Sequence, residues 1–306
     1  MTERGKCIKC GRRTRHKSPN RDWLCINCDM GLEQKLDASD EQILELFKKS
    51  KLTPEEIKSI LLSDKKRDVR EPYKIGKTRV RFGLISDTHI GNKCYDGRLM
   101  TLAAQTFDKE KVDFVIHGGD ICEGHYESKR QGSVFELEHI GGDAQVKRAV
   151  QELGKIHQRI YAITGNHETN TFFKMSGFDI GQQLAEKLKN FTYLGQARGI
   201  IELPHKKKIE ILHPDGGSSY AISYRSQKIA ESLEGGTKPE VLLIGHYHKA
   251  EYLFYRNIHI IQNGCLESQT EFMRNRHLSA HKGFWIVDLD IGKNGISKLN
   301  PRFYPA

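Results

Sequence analysis

This chain of 306 residues contains no long apolar run, no internal repeat and no low-complexity tract. A membrane-spanning helix needs about 18 or more consecutive apolar residues, so the first absence excludes a helical membrane anchor. The amino-terminal residues also lack the pattern of a secretory signal. Without repeats, the chain is not expected to form a solenoid. We therefore expect a cytoplasmic protein that does not interact with membranes.

The seven cysteines do not form the framework of a disulfide-rich secreted protein. Cys94, Cys122 and Cys265 show no regular spacing, and free buried thiols are ordinary core residues in a reducing compartment. The other four form two CxxC pairs separated by fourteen residues, close to the spacing of four-thiolate zinc sites. A redox pair is the alternative, but it predicts a single CxxC at the start of a helix. We predict a module resembling a zinc ribbon, with one structural zinc ion bound by Cys7, Cys10, Cys25 and Cys28.

Length and charge indicate more than one structural unit. The formal net charge is +10, and residues 1–81 contain 21 Lys and Arg against 13 Asp and Glu, a balance of +8. Most of the basic excess therefore lies outside the larger carboxy-terminal part. We predict a zinc-ribbon-like module over residues 1–34, a helical linker over residues 35–76 and an α/β domain over residues 77–306.

The basic residues are densest between the two CxxC pairs. A zinc-held loop with this charge is suited to backbone phosphates, because each contact releases counterions. We predict nucleic-acid binding there, with substrate contacts from Arg12, Arg13, Arg15 and Lys17. A solvated basic surface would show the same composition, and Trp23 is better explained as the small core of the module than as a base-stacking residue.

Two short amphipathic helices are predicted between the module and the α/β domain. Ser39 and Gln42 form a capping-box pattern, and Pro54 occupies the first position of a second helix. A helix-turn-helix that contacts DNA would fit, but a spacer or a partner-binding unit explains the pattern as well. These residues do not identify a protein partner.

Five short polar strings follow apolar runs that are typical of buried strands. Each run stops abruptly at Gly, Asp, Asn or His, and ligands gather in the loops just beyond the carboxyl ends of such strands. The strings are, in order, Asp87-Thr88-His89, Gly119-Asp120, Gly165-Asn166-His167-Glu168, His213 and Gly245-His246-Tyr247-His248. We expect their side chains to converge on one sheet edge.

The residue types in these strings are those of a two-metal site. Two divalent ions about 3.5–4 Å apart need a bridging carboxylate, with His, Asp or Asn on either side. Asp120 is the natural bridge. Such a pair acidifies water to a metal-bridging hydroxide near neutral pH and polarises phosphoryl oxygens, so no side-chain nucleophile is needed. Ligands of mixed oxygen and nitrogen type accept Mn, Fe, Zn, Ni or Co, and we favour Mn.

In this order the strings resemble the calcineurin-like metallophosphoesterase family, and the resemblance extends from about Lys77 to the carboxyl terminus. It implies an α/β fold, a two-sheet sandwich flanked by helices. It implies that the first metal is held by Asp87, His89, Asp120 and His248. It implies that the second metal is held by Asp120, Asn166, His213 and His246.

The resemblance also assigns a catalytic role to the His of the Gly-Asn-His string. That His is not a ligand in the family, so His167 is expected to protonate the leaving group or to stabilise phosphoryl charge. His213 departs from the pattern, because Pro214 follows it where the family usually has Gly, and His205 is the alternative ligand. Glu168 stands where many members have Asp. His117 is expected to pack beside the site without binding metal.

Other patterns outline the remainder of the α/β domain. Helices are predicted over residues 143–157 and 181–188, and a hairpin is predicted over residues 252–261. A further strand is predicted over residues 284–287. Residues 123–138 are too irregular for a core element and lie next to Asp120, so they are a predicted substrate-recognition loop.

Three functional classes are compatible with these residues. A phosphodiesterase or nuclease acting on DNA or RNA is favoured, because a basic module would deliver a polyanion and residues 85–91 look like the opening string of the repair-exonuclease branch. A phosphatase or phosphodiesterase for protein or small molecules is the alternative, since residues 165–168 match the protein-phosphatase form. That branch usually has Asp and Arg shortly after its Gly-Asp pair, and this chain does not. A non-catalytic subunit of a nucleic-acid-processing complex, like the family's inactive polymerase partners, would be expected to lose ligands.

Overall fold

The computed structural model describes residues 5–6, 13–14, 71–126, 134–233 and 238–306. Contacts divide the chain into two units, residues 1–64 and 65–306. In the first unit, strands β1 (Gly5–Lys6) and β2 (Arg13–Thr14) pair antiparallel. The predicted linker helices lie outside the described residues, as do these predicted zinc ligands and substrate contacts: Cys7, Cys10, Cys25, Cys28, Arg12, Arg15 and Lys17.

The described part of the second unit contains two six-stranded sheets flanked by helices. Its strands are β3 (Tyr73–Lys74), β4 (Arg79–Ile85), β5 (Phe114–His117), β6 (Arg159–Thr164), β7 (Phe191–Gln196), β8 (Arg198–Leu203), β9 (Lys207–Leu212), β10 (Val241–Ile244), β11 (Glu251–Tyr255), β12 (Ile258–Gln262), β13 (Gly283–Gly292) and β14 (Gly295–Pro305). Its helices are α1 (Gly97–Lys109), α2 (Gly142–Leu153), α3 (Asn166–Glu168), α4 (Lys174–Ser176), α5 (Ile180–Lys187), α6 (Ile222–Ser232) and α7 (Glu271–Asn275). A π-helical turn at Thr169–Phe173 joins α3 to α4, and a 3-10 turn at Pro204–Lys206 precedes β9.

Both sheets mix parallel and antiparallel pairs. The first has the order β14-β13-β4-β5-β6-β7, in which β4 to β7 are parallel and β13 runs antiparallel to both β4 and β14. The second has the order β11-β12-β10-β9-β8-β3, in which β9, β10 and β12 are parallel. The parallel strands supply the loops that contain the five polar strings.

The alternation of side chains along β4 explains why the two sheets pack face to face. Phe82 and Leu84 point to one face, because successive side chains of a strand alternate, and they join Ile209 and Ile211 in the core between the sheets. Ile85 points to the other face and packs in a second core with α1, α2 and α5. This arrangement confirms the predicted two-sheet α/β sandwich.

A glycine in β4 allows α1 to approach the first sheet closely. A Cβ atom on Gly83 would lie 2.5 Å from the ring of Phe107, a fully buried side chain of α1. The helix begins after Asp96, whose side chain accepts hydrogen bonds from the backbone N–H groups of Arg98 and Leu99. The cap and the close packing together fix α1 over the strand that leads to Asp87.

Most predicted elements are confirmed, with one helix shorter than expected. The predicted hairpin is present, and Arg256 and Asn257 at its turn have φ of 53° and 61°, as the tight turn of a hairpin requires. The helix predicted over 143–157 ends at Leu153. It ends early because the chain must turn within five residues to enter β6 at Arg159.

Candidate metal centre

The predicted ligands lie in loops at the carboxyl ends of β4, β5, β6, β9 and β10. Five of them have a backbone φ in the left-handed region, which costs non-glycine residues about 1–3 kcal/mol each and persists only where the surroundings hold it. They are Asp87 at 51°, His89 at 49°, Asp120 at 49°, His246 at 79° and His248 at 54°. This concentration of strained backbone is typical of a functional site.

The first cluster consists of Asp87, His89 and His248. One potential ligand atom from each lies within 4.8 Å of the others. Nε2 of His89 is 3.1 Å from Nε2 of His248, which is 3.3 Å from Oδ1 of Asp87. All three side chains are buried. The structure therefore brings together three of the four residues predicted for the first metal.

The second cluster consists of Asp120, His213 and His246, whose potential ligand atoms also lie within 4.8 Å of one another. Nε2 of His213 is 2.9 Å from Oδ2 of Asp120 and 3.2 Å from Oδ1 of Asn166. The ring nitrogen Nε2 of His246 donates to the carbonyl of Gly216, which leaves Nδ1 as its available ligand atom. All four residues predicted for the second metal are thus adjacent.

Asp120 lies between the two clusters. Its Oδ1 accepts a hydrogen bond of 2.9 Å from the backbone N–H of His167. Its Oδ2 is 2.9 Å from Nε2 of His213 in the second cluster and 3.9 Å from Nε2 of His89 in the first. One carboxylate oxygen is therefore held by backbone while the other faces both groups of ligands.

His213, and not His205, lies beside the other predicted ligands. Its Nδ1 donates to the carbonyl of Gly118 at 2.8 Å, and the side chain is buried. A Cβ on Gly119, which has φ of 98°, would lie 2.5 Å from that same Nδ1, so only glycine fits there. His205 is exposed and precedes β9, at the opposite end of the strand from His213.

His167 lines the cavity beside the two clusters. Its Nδ1 donates to the carbonyl of Glu123 at 2.7 Å, so Nε2 is the nitrogen left to face the cavity that it lines. By contrast, His117 is fully buried, with Nε2 3.1 Å from the hydroxyl of Thr88 and Nδ1 accepting from the backbone of Gly119. Burial lowers the pKa of His117 to about 3, which suits a neutral packing residue.

Burial and mutual charge set the protonation of the ligands. Burial raises the pKa of Asp87, but His248 outweighs it and holds the value at about 2. Burial lowers the pKa of His213, yet Asp120 and Asp87 raise it to about 9. Burial, aided by His213, lowers the pKa of His246 to about 4. The carboxylates of Asp120 and Asp87 thus favour the protonated form of His213, whereas burial favours the neutral form of His246.

Three buried glutamates near the ligands were not predicted as site residues. Oε2 of Glu123 accepts a hydrogen bond of 2.8 Å from Nδ1 of His89. The two carboxylate oxygens of Glu168 accept from the backbone N–H groups of Gly165 and Cys122, both at 2.8 Å, and so fix the Gly-Asn-His loop. Glu267 lies beside the first cluster, with Oε2 3.9 Å from Nε2 of His89. Glu123 could have been found as the acid three residues after Asp120, whereas no local pattern marks Glu267.

These residues fit a pair of divalent cations. The donors are carboxylate, imidazole and amide atoms, which suit such ions. Oε1 of Glu267, a buried atom beside the first cluster, has no hydrogen-bond partner among the described residues. The clusters open into a cavity of about 720 Å³, whose outer wall includes Asn170, Phe272 and Arg276. That volume accommodates part of a nucleotide or a small phosphate ester.

Comparisons with known proteins agree with this fold. A model of the calcineurin-like phosphoesterase superfamily domain matches residues 80–280. The DNA polymerase II small subunit of Halobacterium salinarum is 23% identical, over 69% of this chain and 48% of the relative. The chain thus spans about half the length of the curated relatives it matches.

Solved structures with similarity include a novel archaeal phosphodiesterase, 16% identical with a TM-score of 0.44, covering 73% of this chain and 99% of that one. The phosphoesterase Yfce of E. coli is 15% identical with a TM-score of 0.41, covering 72% of this chain and 98% of that one.

In the described part of the chain, no helix is both long and apolar enough to cross a membrane. From the match over residues 80–280, the chain belongs to the calcineurin-like phosphoesterase superfamily.

Proposed function

We propose that this protein is a two-metal phosphodiesterase that hydrolyses nucleic acid, DNA or RNA. The observation that carries the proposal is the position of Asp120, whose Oδ2 faces His213 at 2.9 Å and His89 at 3.9 Å while backbone holds Oδ1. A carboxylate between two groups of ligands is what a two-metal centre needs.

The ligand sets follow from the two clusters. The first cation would be held by Asp87, His89, His248 and Asp120. The second would be held by Asp120, Asn166, His213 and His246. Two divalent cations bound there would acidify water and polarise the phosphoryl oxygens. The mixed donors accept Mn, Fe, Zn, Ni or Co, and manganese is favoured.

His167 supplies the remaining chemistry from the protein side. Its Nδ1 is held by the Glu123 carbonyl, and its backbone N–H holds Asp120, so the ring is fixed relative to the metal bridge. Nε2 would contact a non-bridging phosphoryl oxygen or give a proton to the leaving oxygen. No side-chain nucleophile is required.

A polyanionic substrate is supported by charge. Residues 1–81 have a balance of +8, and Arg276 on the cavity wall adds a cation within the α/β domain. The amino-terminal module would contribute contacts from Arg12, Arg13, Arg15 and Lys17, organised by one zinc ion on Cys7, Cys10, Cys25 and Cys28. The similarity to a DNA polymerase small subunit is consistent with a nucleic-acid substrate.

That relative also favours a second candidate, a subunit of a nucleic-acid-processing complex. A scaffold of this kind does not need metal ligands, and this chain retains all seven predicted ones. An active phosphodiesterase is therefore preferred, with or without a protein partner.

The proposal is tested by incubating the full-length protein with labelled single- and double-stranded DNA, RNA, an aryl phosphodiester and an aryl phosphomonoester. We expect cleavage of a nucleic acid and of the aryl diester with Mn²⁺, and none after chelation. Cleavage of the monoester alone would refute the nuclease assignment. A protein that binds Mn²⁺ but cleaves nothing would favour the scaffold.

A further inference from the structure

We propose that Glu267 is an additional carboxylate ligand of the first metal and raises the affinity of that position for Mn²⁺ relative to Zn²⁺. The inference deepens the proposed function, because it depends on the two-metal centre. Glu267 lies outside the five polar strings, and it enters the site from the segment after β12.

The position of the carboxylate is that of a ligand. Oε2 of Glu267 is 3.9 Å from Nε2 of His89, the same distance that separates this nitrogen from Oδ2 of Asp120. Two atoms that bind one ion with bonds of about 2.1 Å lie about 3.0 Å apart when they are adjacent and about 4.2 Å apart when they are opposite, and 3.9 Å falls within that range. Glu267 can therefore share an ion with His89 as Asp120 can.

This carboxyl group is buried without a full set of partners among the described residues. Glu267 is only 2% exposed, and its Oε1 has no hydrogen-bond partner. The ion pairs of the described residues give it no lysine or arginine, and its neighbour His89 already donates Nδ1 to Glu123. A buried carboxylate is expected to be paired or to coordinate a metal.

The backbone around Glu267 is fixed without help from its side chain. Leu266 donates its N–H to the carbonyl of Asp87 at 3.1 Å and accepts from the N–H of Asp96 at 2.9 Å. Glu267 itself forms a bridge with Tyr95. The segment is thus tied directly to the first ligand string, and the carboxylate lines the cavity from a rigid position.

The extra carboxylate would make the two positions chemically different. The first would have the three carboxylates of Asp87, Asp120 and Glu267 with two imidazoles. The second would have one carboxylate, one amide and two imidazoles. Carboxylate ligands suit Mn²⁺, whereas imidazole favours Zn²⁺, so Zn²⁺ should have a smaller advantage over Mn²⁺ at the first position than at the second.

The test is an Mn²⁺ titration of the full-length protein, followed by the electron paramagnetic resonance signal of free Mn²⁺. Thiolate sites select softer ions, so the CxxC cysteines do not compete for this probe. We expect wild type to bind two Mn²⁺ ions and Glu267→Gln to lose roughly 10- to 100-fold in affinity for one of them. In competition, Zn²⁺ should displace Mn²⁺ from that position more readily in the variant.

The matched control is Glu271→Gln, the same change at an exposed residue in α7. It should bind both ions as wild type does. Should Glu267→Gln fail to fold, Glu267→Asp, which withdraws the carboxylate by one methylene, should weaken one ion in the same way. Wild-type affinities in a folded Glu267 variant would overturn the inference and leave the two-metal centre intact. Absence of Mn²⁺ binding by wild type would overturn the centre itself.

Discussion

At the scale of single residues, the site consists of side chains whose outer atoms are already held. Nδ1 of His89 is bonded to Glu123, and Nδ1 of His213 is bonded to the carbonyl of Gly118. Oδ1 of Asp120 is bonded to the backbone of His167. Each residue is left with one donor atom directed at the others. Outer partners of this kind fix the tautomer and orientation of metal ligands before a metal arrives.

The sequence predicts the candidate ligands but not the residues that hold them in place. The strings predicted Asp120 and His213 because carboxylate and imidazole after a strand form a recognisable pattern. Glu123 follows Asp120 closely in the chain, but Glu267 reaches the site only through a contact between loops distant in sequence, and a single sequence contains no information on such pairings. His213 was uncertain because Pro214 obscured the family pattern, and its position became clear only from the end of β9.

Replacement of His167 should separate chemistry from metal binding. His167→Gln should reduce the turnover of an aryl phosphodiester by roughly 10²- to 10⁴-fold, the usual contribution of a positioned proton donor. Mn²⁺ affinity should stay within twofold of wild type, because His167 is not a proposed ligand. Turnover numbers and an Mn²⁺ titration check both statements.

The matched control is His205→Gln, an exposed histidine at the far end of β9. It should change neither quantity. Loss of Mn²⁺ from the His167 variant, or an undiminished rate, would show that His167 has a different role.

At the scale of elements, periodicity predicted the buried strands and failed at the sheet edge. β10 is a continuous apolar run and β4 ends in the apolar run Phe82-Gly83-Leu84-Ile85, so their patterns are unambiguous. β14 is an edge strand that contains Pro301 and exposed polar residues such as Lys298, so neither hydrophobicity nor alternation marks it. Pairing with β13 stabilises it, and that pairing is a tertiary contact.

The contact between β4 and α1 gives a stability prediction. Gly83→Ala would place a Cβ 2.5 Å from the buried ring of Phe107, and overpacking of this kind costs about 1–3 kcal/mol in the free energy of unfolding. Denaturant unfolding of the full-length protein measures the change.

Gly76→Ala is the control, because a Cβ there would meet no atom within 4 Å. It should leave the unfolding midpoint within error of wild type. Equal stability of the two variants would contradict the close packing of α1 on β4.

At the scale of the whole molecule, charge is distributed unevenly along the chain. The balance of +8 over residues 1–81 leaves +2 of the net +10 for the remainder, which contains the proposed catalytic centre. This distribution suggests a division of labour in which the amino-terminal part captures a polyanion and the α/β domain cleaves it.

Neutralising the basic cluster should test that division. Changing Arg12, Arg13, Arg15 and Lys17 to Gln should weaken nucleic-acid binding. The slope of the logarithm of the binding constant against the logarithm of the salt concentration should become shallower by about one unit for each phosphate that the protein no longer neutralises. Hydrolysis of an aryl diester should be unchanged, because that substrate does not need the module. Binding isotherms at several salt concentrations give the slope.

A control with the same change of charge separates local contacts from net charge. In this control variant, Gln replaces four exposed lysines, Lys187, Lys189, Lys293 and Lys298. A smaller effect than that of the basic cluster is expected. Equal effects in the two variants would attribute binding to the general positive charge of the protein.

The measurement that most directly tests the central claim is anomalous diffraction at the manganese edge from crystals grown with Mn²⁺. The account predicts two peaks about 3.5–4 Å apart at the carboxyl ends of β4 and β10, with Asp120 between them. A single peak, or none beside Asp120, would contradict the two-metal centre and the phosphodiesterase activity proposed from it.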